Sequence, residues 1–310
     1  MRFDHSSKTP RRFTLGRDPK QRHGCACFIA LALAGCGATG GSNVVTPAPA
    51  ISPARSSLSV PSDYSLVWSD EFATAGLPDS TKWDYDTGRN KQGWHNNEKQ
   101  YYSRARLENA EVRDGNLIIT ARREKLSTEP DWGGQSYTSA RLLTNGKAEW
   151  TYGFYEIRAQ VPCGKGTWSA IWMLGSKGEW PQGGELDIME HLGKEPPRIL
   201  STVHTGAASA GNGPGSSTQV PDACTAFHNY QMHWTPQQAS FGVDGKTHFV
   251  YTNPKTGTAQ WPFDASQFVI LNVAIGGDLG GPIDDSIFPV RMEVDYVRVY
   301  QKNQKAQKTK

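Results

Sequence analysis

The alternation of apolar and polar positions along this 310-residue chain is that of a β protein. From Ser65 onward the pattern is strand-like. Leu117, Ile119 and Ala121 alternate with Ile118, Thr120 and Arg122, after a turn at Asp114-Gly115. Tyr155, Ile157, Ala159 and Val161 alternate with Glu156, Arg158 and Gln160, giving one buried face and one wet or cleft-facing side. Tyr230, Met232 and Trp234 alternate with Gln231 and His233, while Phe241 and Val243 run into Asp244-Gly245, a hairpin signal. Val297 and Val299 alternate with Arg298 and Tyr300. Two stretches, Trp168 to Leu174 and Val269 to Ile275, are almost wholly apolar and predict strands covered on both faces. No helical period persists over three turns. Many short strands with frequent turn signals predict an all-β sandwich. Residues 206–217 contain only Gly, Ala, Ser, Asn and Pro and predict a loop.

One stretch breaks the pattern. Gly184-Glu-Leu-Asp-Ile-Met-Glu-His191 places Glu185 and Asp187 on one face of a strand, with Leu186 and Ile188 on the other. Strict alternation would send Glu190 to the apolar side. An extra residue at Met189, absorbed as a β-bulge, returns it to the acidic face. Three carboxylates on one face repel each other, so the arrangement needs a use beyond folding. Trp168, Trp172 and Trp180 precede the stretch and His204 follows it. Aromatic rings stack on sugars, and a carboxylic acid paired with a carboxylate cleaves glycosidic bonds. Trp168 and Trp180 are candidate sugar platforms; Trp172 alternates with Ile171 and Met173 and reads as core. His191 reads as structural.

Glu185-x-Asp187-x-x-Glu190 resembles the active-site signature of glycoside hydrolase family 16 in its bulged, laminarinase-like form. The resemblance runs from about Trp68 to Tyr300. It takes in Trp68-Ser-Asp-Glu-Phe72, Asn96-Asn-Glu98 with Tyr101-Tyr102, Tyr152-Gly-Phe-Tyr-Glu156, Gly166-Thr-Trp-Ser-Ala-Ile-Trp-Met173, Trp180-Pro181 and Asp295-Tyr-Val-Arg-Val-Tyr300. It implies a concave jelly roll with a substrate cleft across one sheet, and a retaining endo-β-1,3(4)-glucanase. Glu185 is then the nucleophile, Glu190 the acid/base, and Asp187 the residue that positions the nucleophile. His204 matches the family's histidine near the acid/base. Arg141, Asn97 and Glu98 match positions that hydrogen-bond sugars on the non-reducing side. Glu71, the Gly115 carbonyl and Asp295 match the ligands of a structural calcium, and no cofactor is expected for catalysis. The alternatives are a related galactanase or transglycosylase, or a non-catalytic carbohydrate-binding surface lipoprotein.

Composition adds limits. Ten Trp and 32 Gly suit an aromatic-lined, turn-rich β protein. No stretch approaches the roughly 20 apolar residues of a spanning helix. The net charge of +3 is uneven: residues 1–35 hold seven basic and two acidic side chains, and four lysines lie at 302, 305, 308 and 310. The body between them is acidic, so a nucleic-acid footprint is absent. The family resemblance implies a β-glucan partner, and a monomer is expected.

The opening is basic and then apolar from Cys25 to Gly35, as in an export signal. Leu33-Ala34-Gly35-Cys36 resembles a bacterial lipobox, which implies cleavage before Cys36, lipidation of its sulfur and an envelope location, in the outer membrane or periplasm. Residues 36–62 then read as a flexible linker, 63–302 as the catalytic domain, and 303–310 as a frayed lysine tail. In the body only Cys163 and Cys224 remain; they form one disulfide or stay two buried thiols.

Overall fold

The computed structural model describes residues 57–304. Cys36, the signal segment, the linker up to residue 56 and the tail beyond residue 304 lie outside the described residues. The strands in order are β1 (Tyr64–Asp70), β2 (Asp84–Tyr85), β3 (Gln100–Tyr102), β4 (Ala110–Arg113), β5 (Asn116–Ala121) and β6 (Tyr137–Ser139). Next come β7 (Arg141–Leu143), β8 (Gly153–Gln160), β9 (Thr167–Gly175), β10 (Glu185–Leu192), β11 (Arg198–His204) and β12 (Gly215–Gln219). The last are β13 (His228–Trp234), β14 (Gln238–Val243), β15 (Lys246–Thr252), β16 (Gln267–Ile275) and β17 (Val290–Lys302). The α-helix of the described residues, α1, is a single turn at Gly277–Gly280.

Two antiparallel sheets hold nearly all of these strands. The eight-stranded sheet runs β15-β14-β13-β8-β17-β5-β4, with β1 also on β17; the seven-stranded sheet runs β12-β11-β10-β9-β16-β7-β2. The alternating positions read from the sequence face inward. Ile119, Ile157, Met232, Phe241 and Val297 from one sheet pack with Ile171, Met173, Leu186, Ile199, Val203 and Leu271 from the other. Each large apolar side chain so buried stabilises the fold by about 1.5–3 kcal/mol relative to exposure. The Asp244-Gly245 signal closes β14 on β15, with both residues at positive φ (48° and 74°), as a two-residue hairpin of right-handed twist requires.

Two segments depart from their sequence reading. Leu58, within the expected linker, is buried and donates its N–H to the Gly245 carbonyl at 2.8 Å, so the packed domain begins before residue 63. The small-residue stretch 206–217 is not all loop: from Gly215 it forms β12, whose backbone pairs with β11. Ladder bonds there do not need apolar side chains, because this edge strand is mostly exposed.

Candidate active site

The acidic strand β10 lies between β9 and β11 in the seven-stranded sheet. Against β9, Asp187 faces Trp172 but Met189 faces Ile171, so β10 carries one residue more than its partner. The same shift appears against β11, where Asp187 faces Thr202 and Glu190 faces Leu200. This is a β-bulge at Ile188-Met189, where the acid spacing puts it. Both bulge residues are buried in the core between the sheets, and Glu190 turns to the outer face with Glu185 and Asp187. Gly184 sets the entry to the strand. Its φ is +80°, and a Cβ there would stand 2.6 Å from Pro262 Cγ and 2.7 Å from Phe263 Cε1, so the chain needs glycine to start β10 against that loop.

Each carboxylate has its own polar partners. Glu190 accepts from the Trp168 indole N–H at 3.0 Å through Oε1 and from the Thr202 hydroxyl at 3.2 Å through Oε2. Glu185 accepts from the Trp180 indole N–H. Asp187 Oδ2 lies 3.2 Å from His204 Nε2. An oxygen of Glu185, an oxygen of Asp187 and a nitrogen of His204 all fall within 4.8 Å of one another. Burial, then the Asp187 charge, pushes the Glu185 carboxyl well above its ordinary range. Burial, then Glu190, does the same to Asp187. Burial also raises Glu190, against opposing help to its ionised form from Trp168, His204 and Thr202. The cluster therefore holds protons at pH values where free carboxyls have lost them.

The site extends across the sheet. Glu190, Ala170, Asn272 and Arg141 lie in one cross-strand row on β10, β9, β16 and β7. The Arg141 guanidinium sits 4.6 Å from the Trp172 ring centre and 5.1 Å from that of Trp94, with its Nε 3.1 Å from Asp86. Trp172 is therefore on the outer face and not core as its run suggests; Ile171 and Met173 are the buried neighbours. Its indole N–H donates to Asn272 Oδ1 at 2.7 Å, and the Asn272 amide donates to the Tyr102 hydroxyl at 3.0 Å. Asn272, Trp94 and Thr202 carry no signal singled out by sequence reading, although Asn272 is the one polar residue in the apolar run Val269–Ile275.

Residues 97–298 match the profile described as Glycosyl hydrolases family 16. The chain belongs to that family. A β-glucanase of Rhodothermus marinus is 48% identical over 251 residues, covering 76% of this chain and 85% of its own. The R. marinus laminarinase structure superposes with TM-score 0.73 at 48% identity, over 78% of this chain and 98% of that one. A mutant of a family GH16 non-specific endo-β-1,3(4)-glucanase, co-crystallised with 1,3-β-D-cellotriosyl-glucose and presenting 1,3-β-D-cellobiosyl-glucose at its active site, matches with TM-score 0.79 at 49% identity, over 81% of this chain and 99% of that one.

In this family 16 chain the remaining candidates are spread along the sheet. Trp180 is half exposed and its ring lies 6.2 Å from that of His204, whereas Trp168 is only 9% exposed. Glu98 accepts from Gln100 at 2.8 Å, and burial raises its carboxyl, with Gln100 and Arg141 opposing. Asn97 is exposed and donates to Asp278 of α1 at 2.7 Å. Of the residues expected to hold calcium, Glu71 makes two hydrogen bonds to Arg298, and Asp295 is ion-paired to Arg158. The donor types are the oxygens calcium prefers, but with these ion pairs formed the set does not offer two free carboxylates. Cys163 and Cys224 form a disulfide, with Cα atoms 5.6 Å apart.

Proposed function

We propose that this chain hydrolyses internal β-1,3 or mixed β-1,3/1,4 linkages of β-glucan by double displacement with retention. The observation that carries this reading is the bulge, which turns three carboxylates of one strand toward the same aromatic-lined face. The glucanase relatives, one with an oligosaccharide at its active site, support the substrate class.

In the first step the Glu190 carboxylic acid protonates the glycosidic oxygen, and a Glu185 oxygen attacks the anomeric carbon as the C–O bond breaks. In the second step the Glu190 carboxylate takes a proton from water, which attacks the same carbon and releases Glu185. Burial and polar partners differ among the three carboxylates. Asp187 is the most buried of the three, so it is the poorest place for charge. Its Oδ2 faces His204 Nε2 at 3.2 Å. In this scheme the Trp180 N–H supports the Glu185 anion as it attacks, and Glu190 carries the proton. Arg141, stacked on Trp172, and Glu98 supply polar groups for sugars further along the row.

The catalysis needs no cofactor in this scheme. The Cys36 motif supports a lipid-anchored enzyme of the cell envelope, which labelling with a radioactive fatty acid and comparison with Cys36→Ser would test. The substrate reading is tested with laminarin, mixed-linkage glucan, cellulose and galactan, scoring reducing ends and product length. Internal cuts in the first two, lost in Glu190→Gln by roughly 10²–10⁴-fold, are expected. Cleavage of galactan alone, or glucan binding without turnover, contradicts it.

A further inference from the structure

On the core side of β10, the residue after Glu190 is His191, which is fully buried. Its Nε2 lies 2.9 Å from the Pro196 carbonyl oxygen. A carbonyl can only accept, so Nε2 carries the hydrogen and Nδ1 keeps a lone pair. Nδ1 has no hydrogen-bond partner. Close to it are Cys163, on the β8–β9 connection, and Cys224, between β12 and β13. One nitrogen of His191 and the two sulfurs all lie within 4.8 Å of one another.

A buried imidazole with one nitrogen tied to a backbone carbonyl and the other left open is the arrangement of a metal-ligating histidine. Two sulfurs beside it make the donor set soft. A tetrahedral zinc, with bonds of roughly 2.0–2.3 Å, separates its donor atoms by about 3.5–3.8 Å, so the sulfurs need only part from their mutual bond. We propose that, when the disulfide is reduced, Cys163, Cys224 and His191 bind one zinc ion, with water in the fourth position.

The chemistry balances with an external dithiol as reductant. It gives two electrons and two protons to the S–S bond and becomes a cyclic disulfide, leaving two thiols on the protein. Zinc then displaces one proton from each thiol and changes no oxidation state. The ion would tie the same connections that the disulfide ties, and add β10 itself to the link. The domain would thus keep a cross-link under conditions that remove its disulfide.

The test uses the full chain, reduced with excess dithiol and desalted without oxygen. Cobalt serves as the spectroscopic probe for zinc. The reduced chain should take up one equivalent with sulfur-to-cobalt charge-transfer absorption, and zinc should displace it; the oxidised chain should show none. Cobalt held by Glu185, Asp187 and His204 would lack the sulfur band, which separates the two sites. Cys224→Ser should weaken binding at least tenfold. X-ray absorption of the zinc form should count two sulfurs and an imidazole nitrogen, which reads His191 without mutating a buried residue. No sulfur band in the reduced chain, or a zinc shell of two sulfurs with oxygens only, overturns the proposal.

Discussion

The indole N–H of Trp168 donates to Oε1 of Glu190 at 3.0 Å, from the neighbouring strand β9. This makes a residue with an obvious use as a sugar platform a partner of the proposed acid. A donated hydrogen bond favours the carboxylate and so holds the Glu190 pKa down against burial. Trp168→Phe removes that bond and keeps most of the ring. The Glu190 pKa should rise, the acid form should persist to higher pH, and the alkaline limb of kcat/KM should move upward. An unmoved limb would mean that another group loses the proton.

Asp187 should limit stability. Burial raises its pKa in the folded state, so the folded chain holds a proton that the unfolded chain releases. Stability is therefore lost as pH rises from the ordinary carboxylate range through the folded-state value. Asp187→Asn escapes this loss. It should melt a few degrees above the parent at pH 7, since about 1 kcal/mol moves a domain of this size by roughly 2–4 °C. The gain should shrink toward pH 4, and activity should fall at every pH. Calorimetry across that range is the measurement; a gain that grows on acidification would reverse the sign of the argument for Asp187.

The bulge can be removed without touching an acid. Deleting Met189 removes the extra residue, so plain alternation after Ile188 carries Glu190 to the outer face with Glu185 and Asp187 and no bulge is needed. Turnover should therefore survive the deletion, falling by less than the roughly 10²–10⁴-fold that loss of a positioned acid costs. Met189→Ala keeps the extra residue and should cost roughly 2–5 kcal/mol of stability with kcat little changed. Comparing kcat and denaturation midpoints of the two variants separates register from packing.

Arg141 is held by Asp86 and by the rings of Trp172 and Trp94, well along the row from Glu190. Arg141→Ala should raise KM for long glucans about tenfold, roughly 1.4 kcal/mol, and leave kcat nearly intact. Chain-length series of laminari-oligosaccharides would show the loss only for those long enough to reach it.

Much of this was legible in the residues. The spacing of Glu185, Asp187 and Glu190 required an extra residue, and the register shift lies at Ile188-Met189. Alternation in β5, β8, β13 and β17 assigned their inward faces. Trp172 was misread because a run of apolar residues on a central strand hides which face is which; only its pairing with Asp187 and its hydrogen bond to Asn272 reveal it. The arginines opposite Glu71 and Asp295 are likewise not visible in a one-dimensional pattern. The Asn97–Asp278 bond joins residues 181 positions apart, beyond any local pattern. The edge strand at Gly215 is built on backbone pairing, to which small residues give no signal.

The roles of the two glutamates meet in one covalent bond. A glucosyl-type inactivator carrying fluorine at C2 slows the second step, so the glycosyl-enzyme accumulates and survives digestion to peptides. Mass spectrometry of the trapped protein should place one sugar on Glu185, with the Glu190 peptide unmodified. A label on Glu190 or Asp187, or turnover of glucan with inversion and no adduct, would contradict the assignment of the nucleophile.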